Sequence, residues 1–146
     1  MFRKMLVPVD GSPHSKRAVE AAIDLARRLQ ASVYLLHVIR NLSLPVEIME
    51  MIVAGEITES RSEILQNSAQ IILDNSRRSF EEAGLTEITV DYVIGDPAYK
   101  ILEYAEENGV DLIVIGHRGL GPHNGLLGGV SRKLLNMTTI SCLVVA

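Results

Sequence analysis

Short apolar runs alternate with amphipathic stretches along this sequence, and that alternation limits the folds available to it. Met5 to Val9, Ser32 to Ile39, Ile88 to Ile94, Asp111 to Ile115 and Ile140 to Val145 are brief and dominated by branched apolar residues, so they read as strands. From Ser15 to Leu29, the residues Ala18, Val19, Ala22, Ile23, Leu25, Ala26 and Leu29 recur at helical spacing, with Lys16, Arg17, Glu20, Asp24 and Arg27 opposite. Pro13 suits the first turn of that helix, and Ser12 or Ser15 can cap it. A longer helix, Thr58 to Ala83, carries Ile64, Leu65, Ala69, Ile72, Leu73 and Phe80, and stops at Gly84 as a C′ glycine. Helices are also predicted over Ala98 to Asn108 and over Ser131 to Met137. Asn41 to Gly55 is the least regular part, a short helix or a flap around Met49, Met51 and Ile52. Strands separated by helices pair in parallel through right-handed crossovers. The expected fold is therefore α/β: a doubly wound, five-stranded parallel sheet covered by helices on both faces, Rossmann-like.

Composition narrows the function. The 146 residues suit one domain, 1–146. A hydrophobic share of 47% with 22% charged residues reads as soluble and globular. The net charge of −4 offers no basic field to hold nucleic acid through its phosphates. The lone Cys142 excludes an intrachain disulfide and a cysteine-built metal site, which fits a reducing compartment. No apolar run approaches the ~20 residues of a membrane span. Met1-Phe2-Arg3-Lys4 leads into a strand and not into a signal-peptide core, so a cytoplasmic protein is expected.

In a doubly wound sheet, ligands bind outside the carboxyl ends of the strands, where the strand order reverses. Pro8-Val9-Asp10, Val38 and Gly116-His117-Arg118-Gly119 all fall at such ends and should share one rim. The last of these opens a glycine-rich stretch that runs through Gly128, Gly129, Val130 and Ser131 into a helix. A strand that ends in glycines and restarts as a helix gathers unpaired N–H groups at the positive end of a helix dipole, which suits a phosphate. Glycine there also lets the backbone approach a ligand closely. On glycine content alone, a plain surface loop is an equal reading.

Gly116-x2-Gly119, the later glycine pair and Val130-Ser131 resemble the nucleotide loop of the universal stress proteins, G-x2-G-x9-G-[S/T]. Four further segments resemble that family in the same order: Met5 to Ser12, Leu35-Leu36-His37-Val38, Gly95-Asp96-Pro97, and Ile140 to Val145. The resemblance implies the family's fold, related to the adenine nucleotide alpha hydrolases. It also implies an adenine nucleotide, ATP or AMP, with Mg2+ as a companion, bound as a regulatory ligand in the stress response. Pro8, Val9 and Asp10 then match the segment near the ribose and metal, and the Val38 backbone the one that reads the adenine edge. Gly116, His117, Arg118, Gly119, Gly128, Gly129, Val130 and Ser131 match the phosphate loop. Aligning Gly128 with the patterned glycine leaves eight residues after Gly119, one short, and puts Gly129 where the family has a hydroxyl. Aligning Gly129 instead restores the spacing but puts Val130 there; the first alignment keeps the apolar register of Leu126, Leu127 and Val130. One phosphate-binding hydroxyl is missing either way, with Ser131 the nearest substitute. The resemblance further implies a homodimer joined through the last strand, an apolar edge.

The remaining candidates carry less. The lesser reading of Asp10 is a cap on the first helix, and Arg118 could be bidentate to phosphate oxygens or simply solvated. His14, His37, His117 and His123 have no carboxylate at ligand spacing, so no metal site is expected. Cys142 reads as a buried small hydrophobe. Neither G-x4-G-K-[S/T], G-x-G-x-x-G nor G-x-S-x-G occurs. No general base stands beside the loop, so at most slow ATP hydrolysis is expected, without catalytic residues to assign. A competing reading is a nucleotide-free dimeric interaction module of the same family.

Overall fold

A computed structural model describes residues 1–40, 46–55, 61–118 and 127–146. Its strands are β1 (Lys4–Pro8), β2 (Ser32–Ile39), β3 (Ile88–Ile94), β4 (Leu112–Gly116) and β5 (Ser141–Val145). Its helices are α1 (Pro13–Leu29), α2 (Val46–Val53), α3 (Arg61–Glu82), α4 (Pro97–Glu107) and α5 (Gly129–Met137). The strands form one five-stranded sheet in the order β3-β2-β1-β4-β5, and every neighbouring pair is parallel. This is the doubly wound arrangement expected from the alternation, and its order reverses between β1 and β4.

Side-chain alternation along the strands divides the core in two. Met5, Val7, Val33, Leu35 and Val114 pack on one face with Ala18, Ala22 and Ala26 of α1 and Leu73 and Phe80 of α3. Leu6, Leu36, Ile113 and Ile115 pack on the other with Ile101, Leu102 and Ala105 of α4 and Leu134 of α5. Ala18, Ala22 and Ala26 are fully buried, and such small side chains bring that helix close to the sheet. Central β4 is buried along its length, whereas the edge strands β3 and β5 alternate between exposed and half-buried residues. Cys142 is accordingly half-buried on an edge, not fully buried as expected.

The amino ends of β1 and β4 are tied by Asp111, whose carboxylate accepts from the Arg3 and Lys4 N–H groups at 3.0 to 3.1 Å. That role places Asp111 outside β4, one residue before the strand. Asn41 to Pro45 and Thr58, parts of the expected flap and long helix, lie outside the described residues.

Candidate functional site

β1 ends where its chain must turn out of the sheet. Gly11 makes the turn with φ at 80°, a conformation that favours glycine. Ser12, and not Ser15 or Asp10, is the N-cap of α1: its Oγ accepts from the Ser15 N–H at 3.1 Å. Asp10 folds back instead, its Oδ1 accepting from the Ser12 N–H at 2.9 Å. The Asp10 N–H donates to Ser15 Oγ at 3.1 Å. Asp10 is thus held by bonds on both its backbone and its side chain, half-buried at the end of β1.

β2 runs past β1. The ladder between them ends at Pro8 opposite Leu36, followed by one bond from the Val9 N–H to the Leu36 carbonyl at 2.8 Å. Backbone groups of alternate residues point the same way in a strand. The Val38 N–H and C=O therefore face the same side as the Leu36 carbonyl, into the space beyond β1. The peptide at Val38 thus presents a donor and an acceptor beyond the end of β1. His37 reaches the rim as well: its Nδ1 lies 2.7 Å from the Val9 carbonyl.

β4 supplies the other wall. A Cβ on Gly116 would stand 2.8 Å from the backbone C and O of His14. Its missing side chain therefore admits helix α1, not a ligand. The Gly116 carbonyl accepts from Ser131 Oγ at 2.8 Å, so this buried hydroxyl has already given its proton to the end of β4. The His117 N–H donates to the Val145 carbonyl at 2.7 Å, and the His117 carbonyl accepts from the Gly128 N–H at 2.9 Å. These bonds join the two feet of the glycine loop to β5 and to each other. Gly128 is the N-cap of α5, without a side-chain cap, and a Cβ there would lie 3.0 Å from the Arg118 Cα. Gly129 faces open space, with nothing within 4 Å of a Cβ. The first N–H groups of α5 have no acceptor within the helix.

Arg118 projects from the same corner. Its Nε and Nη1 are buried and find no hydrogen-bond partner among the described residues. Buried guanidinium nitrogens left so are costly, and their usual explanation is a bound anion or water. The rings of His14 and His117 are 6.2 Å apart, but no group of three or more metal-ligating side chains occurs among the described residues. Gly119 and His123 lie outside them. Of the expected site, Pro8, Val9, Asp10, Val38, Gly116, His117, Arg118, Gly128, Gly129, Val130 and Ser131 gather along the β1/β4 end of the sheet.

No described helix is long and apolar enough to cross a membrane. The model of the universal stress protein family matches residues 1–146. Universal stress protein YxiE of Bacillus subtilis is 39% identical over 149 residues, covering 99% of both chains. Universal stress protein MJ0531 of Methanocaldococcus jannaschii is 32% identical over 146 residues, or 99% of this chain and 82% of that one. The solved structure of protein MJ0577 superposes with a TM-score of 0.80 at 26% identity, covering 99% of this chain and 96% of that one. A universal stress protein in complex with cAMP shares the fold (TM-score 0.75, 24% identity, 99% and 97% coverage). So does an Arabidopsis thaliana family protein with AMP bound (TM-score 0.70, 20% identity, 98% and 90% coverage). On the full-length family match and the relatives alike, this chain belongs to the universal stress protein family.

Proposed function

We propose that this chain, as one domain in the cytoplasm, binds an adenine nucleotide, AMP or ATP, as a regulatory ligand in the stress response. The observation that carries the reading is Arg118, with two buried guanidinium nitrogens unpartnered among the described residues beside the uncapped N-terminus of α5. Both features favour a phosphate, one by charge-assisted bonds and the other by its dipole. The Val38 peptide edge would meet the adenine, and Asp10 the ribose hydroxyls. For a triphosphate, Asp10 is also the carboxylate on this rim that could meet Mg2+, which would neutralise phosphate charge. Relatives of the same fold hold cAMP and AMP, which supports the ligand class. In this reading the nucleotide acts as a ligand and any hydrolysis is slow.

The test is calorimetric titration with Mg-ATP, ATP without metal, and AMP, beside analysis of nucleotide released from denatured, freshly purified protein. Binding tighter than about millimolar, or roughly 4 kcal/mol, is expected for at least one ligand. If nothing binds, the nucleotide-free interaction module takes its place. Two features favour that second reading: Gly129 carries no hydroxyl, and the Ser131 hydroxyl is spent on Gly116. Under either reading the chain pairs with a second copy through β5.

A further inference from the structure

In the register of β1 and β2, the ladder should continue with the Val38 N–H donating to the Val9 carbonyl, the mate of the bond from the Val9 N–H to Leu36. It stops one bond short. The Val9 carbonyl accepts instead from the His37 ring at 2.7 Å. A carbonyl can only accept, so His37 Nδ1 carries a proton whatever the charge of the ring. Strand alternation puts His37 on the same face as Val33 and Leu35, which pack toward α1 and α3. From there the ring approaches the Val9 oxygen from outside the plane of the sheet. The chain then leaves the sheet at Asp10 and Gly11, where the Asp10 N–H is committed to Ser15 Oγ.

We infer that His37 is a positioning residue that withholds the Val9 carbonyl from the ladder and so keeps the Val38 peptide edge open for a ligand. The contact does two things at once. It fixes the residue before Asp10, so that the carboxylate is presented from a tied backbone. It also leaves the Val38 N–H and C=O side by side, a donor and an acceptor that match the acceptor–donor edge of an aminopurine. The identity of that ligand rests on the nucleotide reading above; the opening of the edge does not.

Amide hydrogen exchange by NMR on the ligand-free full chain tests the opening directly. The Val38 amide should exchange at least about a hundredfold faster than the Leu36 amide in the same strand. Adding AMP should slow it. In His37→Leu the Val9 carbonyl is released, the ladder gains its missing bond, and the Val38 amide becomes as protected as Leu36. AMP affinity should then fall about tenfold without a lower unfolding midpoint, because the ligand competes with a backbone bond. In His37→Asn the side-chain Nδ2–H stands where Nδ1–H stood, so exchange and affinity should stay near wild type. A Val38 amide as slow as Leu36 in the wild type overturns the inference. So does a His37→Leu variant in which that amide stays fast, or in which it becomes protected while AMP affinity is unchanged. If AMP fails to bind the wild type at all, the nucleotide reading falls, and the exchange rates still decide the role of His37.

Discussion

Gly116 and Gly129 stand at opposite feet of the same loop and ask for opposite things. At Gly116 the space a methyl group would need is filled by the His14 backbone 2.8 Å away, and backbone cannot rotate aside. Gly116→Ala should lower stability by about 1–3 kcal/mol through overpacking, measured by urea unfolding. At Gly129 a side chain has room, and a serine there would return the hydroxyl that the family pattern places in the loop. Gly129→Ser should tighten ATP about threefold and AMP less, since the new contact is to a phosphate. Equal gains for both ligands in calorimetry would place the hydroxyl away from the phosphates. The sequence marks both residues as loop glycines but does not separate them. What separates them is α1, which packs against one and not the other, and no local pattern records that.

At the scale of elements, the strands and the long helices were legible because their periodicity is local. β2 and β3 match their predicted limits, and Gly84 follows α3 in a left-handed conformation, φ at 84°. The misses sit where a side chain has a tertiary task. Asp111 is drawn out of β4 by the clamp on β1, and the Ser131 hydroxyl is turned from the loop toward β4. His37 reads as an interior strand residue until β1 is laid beside it, 28 residues away in sequence.

The α4 face carries a pH response of its own. Tyr104, nearly buried and edge-on to Tyr34 with centroids 6.0 Å apart, has its phenol pushed up to about 12 by burial, then by the charges of Asp91 and Tyr34. A raised folded value means the contribution to stability is whole below the ordinary 10.0 and is lost as pH climbs through about 12. Wild-type stability should fall across that window by an amount on the order of 1 kcal/mol more than that of Tyr104→Phe. Urea midpoints of the two proteins along the alkaline series check it; parallel curves would assign the loss to other groups.

For the whole molecule, β5 is an edge of the sheet, and Leu143 on it is 38% exposed. The Val145 carbonyl points inward to the His117 N–H, so by alternation the Val144 N–H points outward, free of the ladder with β4. An open apolar edge is a template for pairing, and a two-fold axis would let two copies satisfy each other. Val144→Pro removes one outward donor and should convert a dimer to a monomer in sedimentation at about tens of micromolar. A wild type already monomeric under those conditions would end the dimer proposal.

The strand order also has a consequence for how the chain is made. β1 pairs with β2 early, but its other neighbour is β4, more than a hundred residues later. A ribosome that has delivered the chain only as far as β3 therefore holds a three-stranded sheet whose bare margin includes Met5, Leu6 and Val7, all fully buried in the folded molecule. Contacts this distant are slow to form and leave sticky intermediates meanwhile. The crevice between β1 and β4 comes into being only when that margin is covered. A ligand that binds there would therefore register that β4 has taken its place beside β1.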